Sequence, residues 1–265
     1  MKIPFQQIDA FADRPFSGNP AAIMPLDAWL PDATLLAIAA ENNLAETAFI
    51  IPWAGPEADY ELRWFTPAVE VALCGHATLA TGHSLLSADP AIDTVRFMTR
   101  KAGVLEVARD GDGYRLALPA WETESKPLPA ELLAGIGGSP IETRWRDGGY
   151  ALLIYETMKE IRALDPDFRA LKPLGDLLLI ATAPGEDTDI ASRVFAPGAG
   201  IDEDPVTGSA HCLLTTYWAE RLDRTSFTAF QASTRGGYLS CILDGDRAVL
   251  GGKCVTVIEG EFQLP

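Results

Sequence analysis

The chain has 265 residues, 48% hydrophobic and 22% charged, an ordinary globular balance with room for one large domain or two of average size. A net charge of −16 repels nucleic acid and anionic membrane, so neither is expected as a partner. No apolar run reaches the ~20 residues of a membrane span, and Met1–Asp9 lacks a signal-peptide core, so the expected location is the cytoplasm.

Residues 2–9 read as a first strand, followed by the tight turn Gly18-Asn19-Pro20, which either lines a pocket or merely reverses the chain. A strand over 21–26 precedes a helix over 32–42, which starts just after Pro31. Strands over 44–51 and 59–65 lead to a helix over 76–88. Strands follow over 94–99, 103–108 and 114–118, the last two joined by the hairpin signal Asp110-Gly111-Asp112-Gly113. The Pro- and Gly-rich segment 119–140 is the candidate linker. Beyond it, strands fit 141–146, 150–155, 176–182 and 192–195, then a helix 208–222, then strands 237–243, 246–250 and 253–259. Arg235-Gly236-Gly237 reads as a hairpin connection or as an arginine placed to bind a carboxylate.

The helices over 76–88 and 208–222 are apolar or small nearly all round, as expected of helices buried on every side. Two such helices among hairpins predict an α+β fold of two similar halves, each an antiparallel β-barrel wrapped around a central α-helix. A weak internal repeat agrees: Phe65-Thr66-Pro67 leads to Gly75-His76-Ala77, and Phe195-Ala196-Pro197 leads to Gly208-Ser209-Ala210. The expected domains are 1–120 and 121–265, with the last strand a candidate to cross back.

Glu46 sits in a strand pattern that puts it on the face of Leu44, Ala48 and Ile50. On a solvated face it is an ordinary surface acid; lining a dry pocket, it is a general acid or base. His76 follows Gly75 at a helix start and can donate to a substrate, shuttle a proton or simply bond a neighbouring carbonyl. Asp204 precedes Pro205 and so projects from an extended loop ahead of the second helix, as a functional acid or a cap. Gly75, Gly208 and Ser209 mark two helix starts whose free N–H groups could cradle an anion, or they are ordinary capping residues. His83 and His211 read as structural. Of the four cysteines none forms a C-x-x-C pair, so neither a structural metal site nor a disulfide is expected. Cys212, Cys241 and Cys254 read as small buried hydrophobes, whereas Cys74 lies at the candidate site.

Together these segments resemble the phenazine-biosynthesis PhzF-like family. The resemblance rests on Ile8-Asp9-Ala10-Phe11, Phe16-Ser17-Gly18-Asn19-Pro20-Ala21-Ala22, Glu41-Asn42-Asn43-Leu44-Ala45-Glu46-Thr47-Ala48-Phe49, Cys74-Gly75-His76-Ala77-Thr78, Asp204-Pro205-Val206-Thr207-Gly208-Ser209-Ala210 and Gln231-Ala232-Ser233-Thr234-Arg235-Gly236-Gly237. It implies the diaminopimelate-epimerase-like fold with the active site in the cleft between the halves. It also implies a cofactor-independent isomerase, usually a homodimer, acting on a small carboxylate such as trans-2,3-dihydro-3-hydroxyanthranilate. The resemblance makes Glu46 the proton-transferring acid/base and has His76 and Asp204 orient the substrate and assist. It makes Gly75-His76 and Gly208-Ser209 the carboxylate cradle, and Asn19 belongs to a matching segment as a substrate-binding candidate. Two alternatives stay open: a thiol-dependent amino-acid racemase or epimerase using Cys74, and a non-catalytic carboxylate-binding protein. The related epimerases use one cysteine from each half, and here the second half offers Asp204-Pro205 at the corresponding place.

Overall fold

The computed structural model describes residues 1–264. The chain divides into two compact units, Met1–Leu118 with the residues from Val249 onward, and Pro119–Ala248.

In the first unit, Lys2–Ala10 lies antiparallel to Cys254–Gln263 on one side and to Asn19–Pro25 on the other. Asn19–Pro25 runs parallel to Glu46–Pro52, and the helix Asp32–Asn42 makes the crossover between them. Glu46–Pro52 pairs antiparallel with Tyr60–Phe65, which meets the short strand Glu70–Val71 antiparallel and Thr94–Thr99 parallel. Thr94–Thr99 then pairs antiparallel with Val104–Asp110. The helix Gly75–Ala88 packs against most of these strands, and every residue from Gly75 to Gly82 is buried. Its small, apolar side chains let strands approach on all sides, which is why it shows no polar face.

The second unit repeats the order. Glu142–Arg146 and Tyr150–Ile154 are antiparallel, Tyr150–Ile154 and Leu178–Pro184 parallel, and Leu178–Pro184 and Ile190–Ala196 antiparallel. Ile190–Ala196 meets the short strand Ile201–Asp204 antiparallel and Ser226–Gln231 parallel, and the latter pairs antiparallel with Gly237–Asp244. The helix Gly208–Leu222 is the counterpart of Gly75–Ala88, with Gly208, Ala210–Thr215 and Tyr217–Ala219 buried. The two halves therefore share one sequence of strand directions, and each delivers the chain from a short hairpin into a buried helix.

Three sequence expectations change. Segment 119–140 is no linker: it holds the helix Ala130–Ile136, whose Leu132 and Ile136 join Leu128 in the core of the second unit. Its prolines start a helix at Pro129 rather than loosen the chain. The strand Ser226–Gln231 escaped notice because its outward residues are Ser226 and Thr228 and its inward ones include Ala229 and Gln231, a weak apolar alternation. Third, the strand carrying Glu46 begins at that residue, and Thr47–Ile50 are all buried, so both faces are covered and the alternation that aligned Glu46 with Leu44 does not apply. Among the described residues no helix is long and apolar enough to cross a membrane.

Candidate active site

Five of the residues singled out in the first unit converge. Asn19 opens its strand after Gly18, whose φ of 65° is left-handed; a Cβ there would stand 2.1 Å from the Ala10 carbonyl oxygen. Glycine thus permits the close turn that delivers Asn19 into the interior, where it is fully buried. Glu46 opens the neighbouring parallel strand, in register with Ala21. Cys74 is the residue immediately before the central helix, in extended conformation, and Gly75 and His76 form the helix's first positions.

The contacts run through the His76 ring. Asn19 Nδ2 lies 3.3 Å from His76 Nδ1, and Cys74 Sγ lies 3.6 Å from the same nitrogen. On the far side, His76 Nε2 stands 3.1 Å from Glu46 Oε2. That pair has an ion-pair distance but not hydrogen-bond alignment, so both buried atoms lack a hydrogen-bond partner. Both ring nitrogens are engaged, Nδ1 by Asn19 and Cys74 and Nε2 by Glu46, and the protonation of the ring sets which of them donates. His76 is 5% exposed at its side chain and Glu46 13%, so the acid keeps a narrow opening while the histidine is enclosed.

Burial opposes a charge on His76, yet Cys74 and the Glu46 carboxylate outweigh it and hold the imidazole well above its ordinary value. Burial, reinforced by the Glu46 charge, pushes the Cys74 thiol up. Burial therefore favours the Cys74 thiol over its thiolate.

A loop anchored from outside holds this helix start in place. Arg63, 1% exposed, reaches Glu70 through two hydrogen bonds of 2.8 Å and Asp32 through one of 2.9 Å. Its guanidinium lies 5.0 Å from the ring centroids of both Trp29 and Phe65. The strand Glu70–Val71, just ahead of Cys74, is thereby fixed to the helix Asp32–Asn42.

The second unit builds an equivalent start. Thr207, rather than the expected Asp204-Pro205, precedes the helix as Cys74 does, and Gly208 and Ser209 take the places of Gly75 and His76. Asp204 accepts the Thr207 hydroxyl. Gln231, fully buried, organises the loop: its Oε1 accepts the Thr207 N–H at 2.9 Å, and its Nε2 donates to the Asp204 carbonyl at 2.8 Å and to Thr207 Oγ1 at 3.1 Å. Tyr150, first residue of its strand, lies beside Ser209, as Asn19 lies beside His76. Sequence reasoning assigned no role to Gln231, Tyr150 or Arg63, and to Thr207 only that of a helix cap, the position that it takes. The only available signals were Gln231's place in a family segment and Thr207's place before a glycine. Cys212 lies inside the helix with Sγ 3.5 Å from the Gly208 carbonyl, and burial pushes its thiol to about 12. His211 is buried and bonds the Thr207 carbonyl, the structural role expected of it. His83 bonds Tyr114 and Thr256.

Comparison with known proteins agrees with this geometry. Residues 8–260 match the family described as Phenazine biosynthesis-like protein (PhzC-PhzF). An uncharacterized isomerase of Pseudomonas aeruginosa is 47% identical over 100% of both chains. A solved phenazine biosynthesis protein of the PhzF family from Enterococcus faecalis superposes with a TM-score of 0.91 at 40% identity, covering 100% of both chains. The hydroxyproline epimerase of Agrobacterium vitis shares the fold alone, with a TM-score of 0.62 at 15% identity over 98% of this chain and 91% of its own. Two like halves around buried helices, with an acid and an imidazole at one helix start, define an isomerase of the diaminopimelate-epimerase-like fold. Within that class, this chain belongs to the phenazine biosynthesis-like PhzC-PhzF family.

Proposed function

We propose that this isomerase moves a proton between carbons of a small carboxylate substrate without a cofactor, with Glu46 as the acid/base. The observation that carries the reading is the buried pair of Glu46 Oε2 and His76 Nε2 at 3.1 Å. A carboxylate with a narrow opening can reach a substrate carbon, and the adjacent imidazole holds it in place. In the forward step the Glu46 carboxylate takes a proton from one substrate carbon and the electron pair enters the substrate's conjugated system. Glu46 then returns that proton to a second carbon, and the charge on the protein is restored. Backbone N–H groups at the start Gly75-His76 are free of intrahelical partners and suit the substrate carboxylate or the charge that develops on it. Gly208 and Ser209 offer the same groups at the start of the second helix. A ring like that of trans-2,3-dihydro-3-hydroxyanthranilate fits this chemistry.

Racemisation by paired thiols is disfavoured by one structural fact. The position that holds Cys74 in the first half holds Thr207 in the second, so a matching thiol is absent. The test is proton exchange of small cyclic and amino carboxylates with deuterated solvent. Glu46→Gln should lower exchange by about 100-fold or more while substrate binding and the fold survive. Near-normal exchange in that variant would refute the assignment of Glu46.

A further inference from the structure

Glu46, Cys74 and His76 each offer a metal-ligating atom, and the three atoms lie within 4.8 Å of one another. Around one tetrahedral zinc ion, with bonds of about 2.0–2.3 Å, ligand atoms stand roughly 3–4 Å apart, so small side-chain rotations would bring these three to one ion. The donors differ in kind: a thiol sulfur, an imidazole nitrogen and a carboxylate oxygen, the set that suits zinc rather than magnesium or calcium. A second observation points the same way. His76 Nε2 and Glu46 Oε2 are buried and converge, yet neither satisfies the other as a hydrogen bond. The two atoms face each other as an ion pair without a hydrogen bond, and a cation placed between them could take a lone pair from each.

We propose that this cluster binds a soft divalent cation of the zinc type, with Glu46, Cys74 and His76 as three ligands and a fourth position left to water, and that the bound ion shuts the isomerase off. Binding replaces the Cys74 S–H bond and the His76 Nε2–H bond by bonds to the metal, and both protons leave to solvent. It also ties up the Glu46 oxygen that proton transfer needs. The inhibitory part rests on the proposed role of Glu46; the binding part does not.

Cobalt(II) alone is the probe, because a cobalt–thiolate bond gives a charge-transfer absorption that carboxylate sites do not. That distinction matters in a chain of net charge −16, where exposed acids collect divalent ions loosely. The expected result is one equivalent of cobalt per chain with that absorption, displaced by zinc. Cys74→Ser should abolish the absorption, and Glu46→Gln and His76→Asn should each weaken zinc binding by about 10-fold or more. A wild-type protein that takes up cobalt without the thiolate band, or folded variants that bind zinc as tightly as wild type, overturns the proposal. If a variant fails to fold by circular dichroism, the wild-type spectrum alone decides. In the exchange assay, zinc at the concentration that fills the site should stop turnover; if no compound exchanges at all, the cobalt spectrum still reports on the site.

Discussion

Cys74 and Thr207 hold the same place in the two halves, each the last extended residue before a buried helix that begins with glycine. The carbonyl of each is then met by the side chain four residues on: Thr78 Oγ1 at 2.6 Å and His211 Nδ1 at 2.8 Å. One scaffold thus presents a thiol in one half and a hydroxyl in the other.

Cys74→Ser should therefore lower kcat by less than about tenfold, because the hydroxyl still offers hydrogen to His76 Nδ1. A thiol base would lose nearly all turnover on the same change. Parallel kinetics of Cys74→Ser and Glu46→Gln, with solvent deuterium incorporation as the readout, distinguish the two.

Gln231→Ala should destabilise the protein and unsettle the second helix start together. The change removes three hydrogen bonds from a fully buried amide and leaves the Thr207 N–H without its acceptor. Buried unsatisfied groups cost about 1–3 kcal/mol each, so Tm should fall by roughly 5–10 °C. A raised KM with a smaller change in kcat would place the effect on substrate holding; thermal melts and steady-state kinetics check both.

Arg63→Met should act at a distance from the chemistry. Methionine keeps much of the packing between Trp29 and Phe65 but leaves Glu70 without its bidentate partner. The strand Glu70–Val71 should loosen, and amide hydrogen exchange over residues 66–74 should rise relative to the rest of the first unit. Unchanged protection there would mean that the loop is held by its backbone alone.

His211 predicts an acid limit on stability. Burial lowers its value from 6.5 to about 4, so the folded state resists its protonation. Stability is full above pH 6.5 and is lost as pH falls toward 4, with a loss on the order of 3 kcal/mol over that window. His211→Asn, which keeps a donor toward the Thr207 carbonyl, should flatten the curve of unfolding free energy against pH between those values. A variant as pH-sensitive as wild type would move the effect to other groups.

Much of the fold was legible because its strongest feature is a compositional oddity. Two helices with no polar face must be enclosed, and hairpins are what remain to enclose them. Glu46 and His76 were legible as individuals, though not as a pair: strand and helix positions fix where each begins, while the 3.1 Å contact depends on the parallel register that sets Glu46 beside Ala21. Residues that act through long-range contacts stayed hidden. Arg63 reaches across 31 residues to Asp32, and Gln231 across 24 to Thr207. No local pattern marks a side chain whose partner lies that far along the chain. The segment 119–140 misled because proline signals both a loose connection and a helix start, and only the leucines packed behind Pro129 tell which.

The strand Lys2–Ala10 is matched along its whole length by Cys254–Gln263. The first strand therefore gains this neighbour only once residues 254–263 have been made. The second unit, being contiguous, has no such delay. The half that carries Glu46 and His76 is therefore the one whose sheet needs two distant stretches of sequence to be completed.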